Sequence, residues 1–188
     1  GGLAVLLGAE GGKLIEGSLE LLHSFYRMGL RFIGLTWAYP NQISTMDDPV
    51  KPGLTAFGRE LIPAMNDLGM IIDNGHAGAR TFYDTIELSR QPIVMSHAGA
   101  AGAVRASRHP DWGTGPGCFA DDTMLKALAK NGGVIGIHFF GPVYYRNQQS
   151  FCDITLDDVL AHVDYVAALV GPEVLALGCD YFPDYGEW

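Results

Sequence analysis

Positive charge is scarce in this sequence. Its 12 Lys and Arg face 21 Asp and Glu, giving a net charge of −9, and no basic run is longer than two residues. That balance argues against nucleic acid as a partner, because phosphate binding needs clustered cations. Long apolar runs are missing too, so nothing reads as a membrane-spanning segment. Cysteine is sparse: Cys118, Cys152 and Cys179 lie far apart with no CxxC pair, which argues against a zinc finger and a disulfide framework. Unpaired thiols fit a reducing, cytoplasmic compartment better than a secreted one. The glycine-rich loop Gly8-Ala-Glu-Gly-Gly12 lacks the GxGxxG pattern and puts an acid where a phosphate would need bare N–H groups, which argues against nucleotide binding.

What is present suits a globular core. Hydrophobic residues make up 48% and charged residues 18% of the 188, enough for one sizeable interior. Strand-like runs fall at Leu3–Leu7, Phe32–Thr36, Met70–Asp73, Pro92–Ser96, Val134–Phe139 and Val174–Gly178. Short continuous apolar runs mark strands buried on both faces, as in a parallel sheet covered by helices. Amphipathic stripes lie between them. Leu54, Phe57, Leu61, Met65 and Leu68 form one, and Met124, Leu125 and Leu128 a second, closed by Asn131-Gly132-Gly133. Leu156, Val159, Leu160, Val163 and Val166 form a third, with Thr155 as N-cap before Asp157 and Asp158.

This alternation predicts an α/β fold, either a (β/α)₈ TIM-type barrel or an open doubly wound sheet. About six strand–helix units fall short of a barrel, which takes about 250 residues. Residues 1–188 are therefore expected to be a single catalytic barrel domain cut at both ends, since the chain opens and stops inside strand-like segments.

Chemistry in such sheets gathers at the carboxyl ends of the strands. Glu10 follows the first run, Trp37 and Asn41 the second, His76 the third, His97 the fourth, and Asp180 the sixth. One carboxylate and two imidazoles make a sound ligand set for a divalent metal, and a further free carboxylate can move protons. Other readings stand beside this one. Glu10 can cap a helix after Gly11-Gly12, and Asp73 can be a structural carboxylate beside the site. His138, flanked by Ile137 and Phe139, reads as a core histidine.

Several phrases carry a family resemblance: Gly8-Ala-Glu-Gly-Gly12, Gly53-Leu-Thr-Ala-Phe-Gly-Arg-Glu60, and Met65-Asn-Asp-Leu-Gly-Met-Ile-Ile-Asp73 running on to His76. Ser96-His97, Lys126-Ala-Leu-Ala-Lys-Asn-Gly-Gly133 and Leu177-Gly-Cys-Asp180 continue it. In this order they cover nearly the whole chain, which resembles the membrane (renal) dipeptidase family of zinc-dependent peptidases. The resemblance implies a metal-dependent barrel hydrolase that cleaves dipeptides with a water activated by two zinc ions. It places a bridging ligand at Glu10, two ligands of one ion at His76 and His97, and the acid/base group at Asp180.

The family's other ion takes a His-x-Asp pair from the first barrel strand. That pair is expected to be absent from this chain, and the resemblance puts it upstream of Gly1. Arg108, with Arg105 as its rival, matches the arginine that grips the substrate carboxylate. Trp37 stands where many members have a histidine, so Trp37 and Asn41 are expected to shape substrate choice. The expected partner is a small dipeptide, and a homodimer is compatible with the reading. A related amidohydrolase acting on another amide or lactam, or a catalytically silent barrel subunit, stays open as the alternative.

Overall fold

The computed structural model describes residues 2–37, 39–46, 48–106, 118–139 and 155–180. Seven strands appear in it: β1 (Leu7–Ala9), β2 (Leu30–Gly34), β3 (Ile71–Asp73), β4 (Val94–Ala100), β5 (Phe119–Ala120), β6 (Val134–Ile137) and β7 (Leu175–Leu177). The helices are α1 (Leu19–Arg27), α2 (Ala56–Leu68), α3 (Ala79–Leu88), α4 (Ala101–Ala106), α5 (Asp122–Asn131) and α6 (Leu156–Val170). Every strand pairing is parallel, in the order β1-β2-β3-β4-β6-β7, with β5 paired to the carboxyl end of β4. All strands thus point their carboxyl ends to one rim, the place where loop side chains of an α/β sheet converge.

Local chemistry fixes the helix ends. The Thr55 hydroxyl accepts from the Gly58 amide at 3.0 Å and starts α2, and Gly69, at φ 67°, ends it. Asp121 caps α5 by accepting from the amides of Thr123 and Met124, both at 2.8 Å. Thr155 and Asp158 form a capping box at α6. These helices press Leu61, Ile62, Met65, Leu125, Leu128 and Val166 onto sheet residues Ile33, Ile72, Met95, Ile135 and Ile137, all buried. Asp84, buried in α3, binds Arg59 of α2 at 3.1 Å and Arg80 at 2.9 Å, and accepts from the Leu54 amide at 3.0 Å. It ties α2, α3 and the loop before α2 together.

The middle of the sheet is unusually tight. A Cβ placed on Gly136 or on Gly178 would sit 2.1 Å from the Ser96 carbonyl oxygen, so neither position admits a side chain without moving backbone. Pairing between β4 and β6 also shifts register between Met95 and Ala98. Such an irregularity bends a strand and re-aims its side chains. Here it falls on Ser96 and His97.

Two strand boundaries differ from the sequence expectation, with consequences for the rim. Of the apolar run Leu3–Leu7 only Leu7 pairs: Leu3 and Val5 are exposed, and the ladder with β2 begins at Leu7. Among the described residues nothing covers those side chains, whereas pairing at Leu7–Ala9 delivers Glu10 directly to the rim. β4 runs on to Ala100 rather than stopping at Ser96, because β5 supplies partners for Gly99 and Ala100. The two-residue β5 was not expected, being too short to show a pattern.

Candidate metal centre

Three strand ends build the centre. Glu10 follows β1 and precedes a turn opened by Gly11 at φ 79°. His76 stands three residues past β3, in a loop held by the Asn74 amide donating to Val94 O (2.8 Å) and the Thr36 hydroxyl donating to His76 O (3.0 Å). His97 sits within β4 at the register shift. The ligand atoms of Glu10, His76 and His97 all lie within 4.8 Å of one another. Glu10 Oε1 is 3.0 Å from His76 Nε2 and 3.2 Å from His97 Nε2, and the two Nε2 atoms are 2.9 Å apart.

Lone pairs this close need positive charge between them, supplied by protons or by a cation. The hydrogen bonds from His76 and then His97 outweigh burial and draw the Glu10 carboxyl down to about 2. Burial pulls the His76 imidazole down, but the adjoining Cys118 thiol and Glu10 more than offset it and raise it to about 9. The donor set also fits a metal. Ligand atoms around a tetrahedral zinc lie roughly 3.3 Å apart, given bonds of about 2.0–2.2 Å. The spacings of 2.9–3.2 Å here come close to that with no rearrangement of strands.

Behind the ligands lies a hydrogen-bonded relay. The Ser96 hydroxyl donates to Asp73 Oδ2 at 2.7 Å and is 2.8 Å from His97 Nδ1. A hydroxyl has one proton, so with that proton on Asp73 its oxygen accepts from His97 Nδ1–H. With a cation at the centre in place of the protons, that arrangement would leave the His97 Nε2 lone pair for the metal instead of a hydrogen bond to Glu10. Burial pushes the Asp73 carboxyl up, against hydrogen bonds from the Ser96 amide and hydroxyl and the Gly75 amide.

The centre opens on a cleft of about 250 Å³ lined by Glu10, Gly11, Lys13, Trp37, Tyr39 and Asn41. Trp37 and Tyr39 meet edge to face, their centroids 6.4 Å apart at 73°. Asn41 lines the cleft, but most of its amide holds the loop. Nδ2 donates to Leu35 O at 2.8 Å, and Oδ1 accepts from the amides of Ile43 (2.8 Å) and Ser44 (3.1 Å). Among the described residues the second Asn41 Nδ2–H has no partner.

Asp180 stands on the same rim after β7, outside the three-residue cluster, with its backbone at φ 49°. Arg105 belongs to α4, and Arg108 lies outside the described residues. A His-x-Asp spacing occurs twice in the chain, at His109–Asp111 outside the described residues and at His162–Asp164 on α6. His162 faces away from any such use, since its Nδ1 accepts from the Ala100 amide at 2.9 Å. Sequence reasoning missed Ser96, Cys118, Lys13 and Tyr39 as parts of the site. Only the adjacency of Ser96 to His97 and the Trp37-x-Tyr39 spacing could have pointed to two of them.

Two other histidines bear on stability. His138, after β6, is buried and pushed down to about 3 by burial, with the neighbouring His162, His97 and His76 adding to it. Burial likewise takes His162 down to about 4, against the attraction of Asp158. The unfolded chain takes up these protons first, so the stability is complete above about pH 6.5 and drains away as pH falls through the folded values. For His162 the shift from 6.5 to about 4 corresponds to about 3 kcal/mol. Urea unfolding of chelator-treated protein should show a loss of at least that size between about pH 7.5 and pH 4. His162→Gln, which keeps an acceptor for Ala100, should flatten the profile; a flat wild-type profile rejects the argument.

No helix among the described residues is long and apolar enough to cross a membrane. The chain is 32% identical over 187 residues to Dipeptidase 3 of Macaca fascicularis, covering 95% of this chain and 35% of that protein. It is 30% identical over 184 residues to Dipeptidase aclJ of Aspergillus oryzae, covering 96% and 41%. Among solved structures it superposes on an amidohydrolase from Pseudomonas aeruginosa with TM-score 0.79 at 26% identity, covering 96% of this chain and 51% of that one. A metallo peptidase from Rhodobacter sphaeroides, liganded with a phosphinate mimic of the dipeptide L-Ala-D-Ala, matches in fold with TM-score 0.80 at 24% identity, covering 94% and 49%. The parallel sheet is thus that of the TIM-barrel dipeptidases, and this chain spans about half of their solved structures and less than half of the curated relatives. The model of the membrane dipeptidase family, peptidase family M19, matches residues 1–186, and the chain belongs to that family.

Proposed function

We propose that the complete protein is a zinc-dependent hydrolase that cleaves the peptide bond of dipeptides. The observation that carries this reading is the convergence of Glu10, His76 and His97, with the Ser96 hydroxyl 2.8 Å from His97 Nδ1. Glu10, His76 and His97 would hold the zinc. Bound there, the metal would bring a water towards neutral pKa and polarise the scissile carbonyl.

The protein's own residues do the rest. Ser96 and Asp73 keep His97 aimed, and the cleft at Trp37 and Asn41 sets the substrate's position. Asp180 takes a proton from the attacking water and hands it to the leaving amine. Arg108 grips the free carboxylate through paired charge-assisted hydrogen bonds, which a continuing peptide chain could not offer.

The test compares free dipeptides with their carboxy-terminal amides. Losing the carboxylate contact should cost about 2–5 kcal/mol in kcat/KM, partly because an arginine is left desolvated and unpaired. Arg108→Ala should erase most of that preference. Equal rates on acid and amide in the wild type would move the reading to a broader amidohydrolase. A preference that survives Arg108→Ala but falls with Arg105→Ala reassigns the residue and leaves the reaction in place.

A further inference from the structure

We infer that the cleft beside Glu10 is the subsite for one side chain of the substrate, selecting bulky apolar side chains and turning away basic ones; this rests on the hydrolase reading above. Trp37 and Tyr39 are 53% and 64% exposed, yet they pack edge to face. Single exposed aromatics are ordinary, but an adjoining pair on the wall of a cleft that begins at a metal-ligand carboxylate offers contiguous apolar surface to an occupant. The volume, about 250 Å³, falls below the roughly 300–1,000 Å³ of pockets that enclose drug-sized ligands. It suits one amino-acid side chain rather than an extended peptide.

Charge sets the second preference. Of the two charged residues among the described residues lining the cleft, Glu10 is committed to His76 and His97. Lys13 is exposed, with its ammonium 5.9 Å from the Tyr39 ring centroid. A basic side chain entering along the aromatic wall would be repelled by that ammonium, whereas an apolar one would meet no such penalty and an acidic one would be attracted. Asn41 has one N–H with no partner among the described residues, left for a polar tip, and the rest of its amide keeps the wall in place.

The experiment uses the complete, metal-loaded protein and two dipeptide series, one varying the amino-terminal and one the carboxy-terminal residue through Phe, Ala and Lys. At one of the two positions kcat/KM should favour Phe over Ala by about tenfold or more. Trp37→Ala should shrink that ratio towards unity, and Lys13→Glu should raise the Lys substrate relative to Ala at the same position by about tenfold. Calorimetric titration with hydrolysis-resistant phosphinate dipeptides bearing Phe or Ala should give the same ranking. Dipeptide hydrolysis with no side-chain preference at either position overturns the subsite and leaves the hydrolase reading standing. So does a Phe preference that survives both Trp37→Ala and Tyr39→Ala. A protein that turns over no dipeptide loses the hydrolase reading, and this assignment of the cleft falls with it.

Discussion

Asp180→Asn should leave the zinc content of the complete protein unchanged and lower kcat by roughly 10²–10⁴-fold, the contribution of a well-placed general acid and base. The substitution is clean for a structural reason. Asp180 has its backbone at φ 49°, in the left-handed region that asparagine tolerates as readily as aspartate and most other residues do not. An alanine there would mix backbone strain with lost chemistry. Asparagine keeps the shape and removes the titratable carboxylate that would accept and release the proton. Steady-state kinetics and elemental analysis on the same preparation separate the outcomes. Near-normal turnover makes Asp180 structural, and zinc lost together with activity makes it a ligand.

The residues differ in how plainly the sequence showed them. His76 and His97 were legible because apolar runs end at or beside them, and a buried parallel strand has its chemistry at its carboxyl end. Glu10 was legible for the same reason, although the strand before it was misplaced. Leu3–Leu7 looks as apolar as any core strand, and only the register with β2 shows that pairing starts at Leu7. Ser96 was not legible as the orienting group, since a serine beside a histidine has no signature until the strand is bent at that point. The glycines packed against the Ser96 carbonyl at that point, Gly136 and Gly178, are distant in sequence and close only in the sheet. Lys13 and Tyr39 meet across a loop, a contact with no periodicity to betray it. The helices were the easy part, because Thr55, Asp121 and Thr155 cap them as their side chains dictate.

Zinc binding itself should grade with distance from the ion. Removing the imidazole in His97→Ala takes away one of the two nitrogen donors found in the cluster among the described residues, and on the two-zinc reading that the family resemblance implies the complete protein should lose one ion outright. Ser96→Ala leaves all three ligands in place but frees the His97 ring to choose its tautomer and rotate. Changes of that kind weaken metal affinity by about 10–100-fold, so this variant should bind both ions and release one of them to a competing chelator far sooner than wild type does. Zinc content by elemental analysis, with circular dichroism to establish that both variants fold, distinguishes the two effects; His97→Gln is the fallback if the alanine variant fails to fold. Unchanged zinc in His97→Ala rejects the ligand assignment. A Ser96→Ala protein with wild-type affinity shows that the Asp73–Ser96–His97 relay merely fills space, and the ring must then be held by the strand geometry alone.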